Sequence, residues 1–156
     1  MGIIYDGPYA DLIEADNHGP YPHEGYPARV MPDGTLSGSW GGDIPDDAHV
    51  GFKAACGCGW TGTTVHPTGD LDSPGYRAAQ AEWDRAHLQP LIDQAAGGWR
   101  AWADSVAQRA AAVAGQVTAG RPTDAVWLLD ELAADLAARQ RIAAQLAEDA
   151  DTDGDG

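Results

Sequence analysis

The sequence predicts an α+β fold: a small antiparallel sheet, a helix packed across it, and a C-terminal antiparallel helical hairpin. Three observations lead there. Residues 50–60 alternate at period two, with Val50, Phe52, Ala54, Cys56, Cys58 and Trp60 on one face and small or polar residues on the other. From Tyr76 the period turns helical, and Tyr76, Ala79, Trp83 and His87 recur at spacings of three and four. Beyond Gly98, two Ala-rich blocks keep helical spacing on either side of the stop Ala119-Gly120-Arg121-Pro122.

Taken in order, residues 1–27 are rich in Pro, Gly, Tyr and His and read as irregular, largely extended chain. Their tyrosines, Tyr5, Tyr9, Tyr21 and Tyr26, are expected to cover the core. Asp33-Gly34 lies between short apolar runs in residues 28–40, a hairpin signal because Gly supplies the positive φ of a tight turn. The run GGDIPDDA reads as an acidic loop before the long strand. After that strand, Thr61-Gly62-Thr63 is expected to form a three-residue turn, with a return strand over 64–66 ended by Pro67.

Ser73 is placed to cap the next helix, with Pro74 at its first position, where a missing N–H costs nothing. Pro90 and Gly97-Gly98 interrupt the helical pattern, so a break or kink is expected between them. Trp99, Trp102, Val106, Ala110, Val113 and Val117 then form the seam of one long helix. The last helix is expected to start at a Thr123 cap and run to about Ala150, with Leu129, Leu132, Leu136, Ala143 and Leu146 as its stripe. Intramolecular packing is the expected use of that stripe, and a dimer seam is the alternative. The division predicted is an α+β module over 1–96, a helical hairpin over 97–150, and a disordered acidic tail over 151–156.

Charge narrows the partners. The 156 residues hold 24 acids against 9 bases, a formal net charge of -15. Such a field repels phosphate backbones and anionic lipid; it favours basic protein surfaces or metal cations, or serves solubility alone. Eight of the bases are Arg and only Lys53 is Lys, which with the Ala, Gly and Asp bias suggests a high-GC bacterial coding sequence. The first residues lack a basic stretch followed by an apolar core, and no run approaches the ~20 apolar residues of a membrane span. A cytoplasmic protein is the expectation. Two Cys in such a chain suggest thiol or metal chemistry rather than a disulfide framework.

On an extended strand Cys56 and Cys58 point the same way, about 6.5–7 Å apart at the α carbons, beyond easy disulfide reach. A metal bridges such a pair with less distortion, and Gly57 and Gly59 let the backbone bend toward it. The predicted turn at 61–63 sets His66 opposite Cys58, and the helix face supplies His87 one turn after Trp83. The expected site is therefore Cys56, Cys58, His66 and His87, a structural zinc set, with His18, His23 and His49 as fallback ligands. His49 has the wrong strand parity.

The run C-G-C-G-W over 56–60, then His66-Pro67, Ala79, Trp83 and His87, resembles a motif in small proteins of high-GC bacteria, their plasmids and phages. The resemblance covers residues 49–91. It implies a shared small module; that group has no settled activity to carry over.

Other chemistry is weakly supported. The tail from Asp151 to Gly156 resembles half of a calcium loop but lacks the bidentate acid of its twelfth position. Phosphate-binding glycine loops, dinucleotide fingerprints and H-E-x-x-H are missing, and Ser37 and Ser39 have no G-x-S-x-G context. The function expected is a non-catalytic, acidic binding or regulatory protein with structural zinc. One alternative is a DNA-mimic or anti-defence inhibitor, using Asp43, Asp46, Asp47, Asp130, Glu131, Asp135 and the tail. Another is a metal-dependent hydrolase, which would need an open metal position.

Overall fold

The computed structural model describes residues 2–38 and 48–154. The chain divides into two compact units, residues 1–94 and 95–156.

The first unit is built on an antiparallel sheet. Its strands are β1 (Ile3–Ile4), β2 (Glu24–Val30), β3 (Leu36–Ser37), β4 (Gly51–Cys56) and β5 (His66–Pro67). The order is β1-β2-β4-β5, with β3 sharing the β1 edge of β2. The Asp33-Gly34 hairpin forms as expected. Met31 N donates to Thr35 O, Gly34 takes φ +84°, and the Asp33 carboxylate accepts from the Thr35 N–H and hydroxyl.

A proline in a central strand is unusual, and Pro27 of β2 has a geometric explanation. The carbonyls of Glu24 and Val30 accept from Gly57 N and Val50 N, on the β4 side. Antiparallel parity therefore turns residue 27 toward the opposite edge. There β1 reaches only Gly25 and β3 only Arg29, so the absent N–H falls in the gap between them.

The N-terminal segment is more ordered than its composition suggests. It contains β1, the start of β2, and a short helix α1 (Ala10–Ala15) whose Ile13 is buried. Tyr5 and Tyr9 cover the core as expected, whereas Tyr21 is exposed.

Helix α2 (Pro74–Trp83) begins as its sequence dictates: the Ser73 hydroxyl accepts from Tyr76 N at 3.3 Å and Pro74 opens the first turn. It packs across β4, β2 and β5. Ala79 and Trp83 are fully enclosed, and Trp83 joins Ala54, Cys56 and Leu88 in the core. The close approach needs Gly25, since a Cβ there would lie 2.0 Å from the Trp83 ring. The helix continues through a π-helical turn (Asp84–Leu88) into α3 (Gln89–Gly97). Gln89 N donates to Asp84 O, the i to i+5 bond of a widened turn. Pro90 cannot donate, and the wider turn accommodates it, so the expected interruption at Pro90 is a local widening. The break itself falls at Gly98.

The second unit holds α4 (Trp99–Thr118) and α5 (Pro122–Asp153), packed against each other. Trp99 and Trp102 meet Arg139 while Arg109 meets Asp135, so the two helices run antiparallel. Two boundaries differ from expectation. Helix α5 starts at Pro122 with Arg121 before it, because Pro at the first position needs no Thr cap. It also continues to Asp153, so residues 151–153 are helical instead of a disordered tail. The stripe shifts too: Ala125, Leu132 and Ile142 are buried, while Leu129 and Leu136 are exposed. The acidic loop expected over 41–48 lies mostly outside the described residues, including Asp43, Asp46 and Asp47.

Candidate metal centre

Strand β4 ends at Cys56, and the chain reverses at once. Gly59 N donates to Cys56 O and Cys56 N donates to Trp60 O, each at 2.9 Å. Gly59, at φ +100°, supplies the left-handed step that this tight turn requires. The reversal thus falls at residues 57–59, not at 61–63, and Cys58 rides on the turn instead of on a straight strand.

That change re-pairs everything downstream. Ala55 bridges to Thr61, and His66 lies opposite Phe52 instead of Cys58. His66 Nε2 meets Glu82 Oε2 at 2.7 Å. The other carboxylate oxygen accepts from Thr63 N at 3.0 Å and Thr64 N at 3.4 Å. Burial alone would raise the Glu82 pKa, but these hydrogen bonds and His66 outweigh it and hold the carboxyl below its usual range. His66 therefore serves a buried carboxylate that pins the return strand to α2.

The position expected for His66 is taken by His23, buried at the entrance to β2. Glu14 of α1 fixes the backbone there by accepting from His23 N at 2.8 Å. Pairing of Gly25 with Cys56 brings the start of β2 beside the end of β4. His23, Cys56, Cys58 and His87 then converge, with all four ligand atoms within 4.8 Å of one another. Cys56 Sγ lies 3.7 Å from His23 Nδ1, Cys58 Sγ 3.3 Å from His87 Nε2, and the two imidazole nitrogens 3.2 Å apart. His87 projects from the π-helical turn, and Trp60 stacks on its ring at 4.6 Å and 13°. Among the other histidines, His18 is exposed and outside the group. His49 is buried against Phe52 and is not part of the group.

The electrostatics suit a cation. Burial, reinforced by the Cys58 thiol and charge, pushes the Cys56 thiol up to about 11, although the Cys58 backbone N–H and the Trp83 indole favour its thiolate. A bound cation would replace that proton, since a thiolate is the ligating form. Among the described residues, the buried Trp83 Nε1–H meets no acceptor within hydrogen-bond distance, yet lies near enough to Cys56 to act on its charge. Burial and then the neighbouring His23 depress the His87 pKa, which keeps that imidazole neutral and able to ligate. Both cysteines are free.

No protein-family model, curated protein or solved structure matches this chain. The fold and donor set define a small α+β protein carrying a His2Cys2 group compatible with a structural metal site.

Proposed function

We propose that this protein is a non-catalytic binding protein whose first unit is held together by one structural zinc ion. The observation that carries the reading is the spacing of the donor atoms. A tetrahedral zinc with Zn–S of about 2.3 Å and Zn–N of about 2.0 Å has S–N edges of about 3.5 Å and N–N edges of about 3.3 Å. Three of the six separations are 3.7, 3.3 and 3.2 Å, and all six lie within 4.8 Å. Two sulfurs and two imidazoles with those separations suit zinc better than an oxygen-seeking cation. Four protein donors fill a tetrahedron and leave no position for a substrate or water, which favours a structural role over the hydrolase alternative.

The need for a metal follows from the core. The central cluster of Ala54, Cys56, Trp83 and Leu88, with Tyr5, Trp60 and Ile92 packed against it, is modest in size. Zinc would tie together α1–β2, the β4 turn and the α2–α3 helix, at an apparent binding free energy on the order of 10 kcal/mol. The net charge of -15 directs the binding role toward a protein with a basic surface.

Elemental analysis of protein purified without chelator should find about one zinc per chain. Stripping that zinc should lower the melting temperature by well over ten degrees. Metal-free protein of unchanged stability would overturn the reading.

A further inference from the structure

The helical hairpin presents a second apolar face that its own seam does not use. The seam of α5 runs through Ala125, Leu128, Leu132, Asp135, Arg139 and Ile142, all buried or half-buried. One residue further round lies another heptad row: Val126, Leu129, Ala133, Leu136, Gln140 and Ala143. Every member is exposed, Val126 at 57%, Leu129 at 48% and Leu136 at 43%. Helix α4 repeats the arrangement. One step past its seam residues Trp102, Val106, Arg109, Val113 and Gln116 come Ala103, Ala107, Ala110, Ala114 and Val117, again all exposed. In antiparallel helices, rows displaced in the same sense from a shared seam lie on the same side of the pair. The two rows therefore form one continuous face, without a charged side chain in a chain that is 21% charged.

We propose that this face is a dimer interface, and that its occupant is the same face of a second copy. Three features select that occupant. The face has a small-residue ridge on α4 and a Val/Leu ridge on α5, so a two-fold axis sets each large ridge against the partner's small one. Its dimensions suit a stable interface: the 20 residues of α4 span about 30 Å. Two helices packed 8–10 Å apart offer roughly 600 Å² in projection, near the ~800 Å² per partner of a standard interface. The absence of charge fits self-association, because a partner chosen for its basic surface would be met by acids. The product is a four-helix bundle in which both heptad rows are buried. The net charge of -15 on each copy opposes association, so added salt strengthens this dimer.

Sedimentation equilibrium of the full chain tests it. The expected mass is twice the 16.3 kDa of one chain at micromolar concentration, with tighter association at 0.5 M salt than at 0.05 M. Leu129→Glu with Leu136→Glu should raise the dissociation constant at least a hundredfold while the helical circular dichroism is unchanged, since both side chains are exposed in one copy. Ala110→Glu, on the opposing ridge, should do the same independently. A wild-type chain that stays monomeric at 100 μM overturns the proposal. So does a dimer that survives either substitution in folded protein.

Discussion

His23 and His66 separate two roles that residue type alone cannot. Both are histidines near the end of the sheet, yet one faces two thiols and the other faces a carboxylate. Replacing His23 with Ala should remove one of four zinc donors and weaken zinc binding by at least a hundredfold in a chelator competition. Replacing His66 with Ala should leave zinc stoichiometry and affinity nearly unchanged. It should still destabilise the fold by about 1–3 kcal/mol, the usual cost of leaving a buried charged acceptor short of a partner. Equal loss of zinc in both variants would reject the assignment of His23 as ligand. The structure reached the site by one move invisible along a single strand: the chain reversed at Gly59, and strand pairing delivered a histidine from 33 residues earlier.

At the scale of the element, the α4–α5 seam has a polar centre. Asp135 accepts from Trp102 Nε1 at 2.9 Å and from the Arg109 guanidinium, while Arg139 stacks over Trp99 and Trp102 at 5.1 and 5.2 Å. Burial raises the Asp135 pKa, but Arg109, Trp102 and Arg139 together more than offset it, and the carboxyl lies below its ordinary value. The sign follows from linkage. A depressed folded pKa contributes stability that is complete above the unfolded carboxylate pKa of ~3.9 and is lost as pH falls through the folded value. Asp135→Asn should therefore cost about 1–3 kcal/mol at pH 7 and flatten the acid limb of the stability curve. Chemical denaturation from pH 7 to pH 2.5 would show it; parallel curves for the two proteins would contradict the pairing. This pairing also removes Asp135 from any acidic face offered to a basic partner, leaving Asp130 and Glu131 exposed on the helix.

At the scale of the molecule, the first unit contains every element its site needs. All four donors, Trp60, Trp83, Leu88 and Ile92 precede Ala96, and the unit has its own sheet and core. A chain truncated after Ala96 should fold and bind zinc with affinity within a few-fold of the intact protein. Collapse of its amide dispersion in an NMR spectrum recorded with zinc present would show that the hairpin is required. None of the helices among the described residues is long and apolar enough to cross a membrane.

What was legible in the sequence is what short-range periodicity encodes. The Phe52, Ala54, Cys56 alternation, the Ser73-Pro74 helix start, the Asp33-Gly34 turn and the two long helices all follow from a residue and its neighbours within one or two turns. Cys56, Cys58 and His87 followed too, because thiols and a helix-face imidazole near tryptophan have a limited set of uses. Whether His66 or His23 joined them depended on where β4 ended. A turn one residue past Cys56 shifts every later pairing, and although Gly59 permits that tight turn, glycine alone does not exclude a straight strand through Cys58. The order of α1 and β2 was hidden for a related reason: their Pro, Gly and Tyr content favours irregular chain until β4 provides the pairing and Trp83 the surface. Local conformation is set by local sterics. Register, and which histidine lies beside the thiols, are set by contacts between segments far apart in the chain, and only the folded sheet decided those.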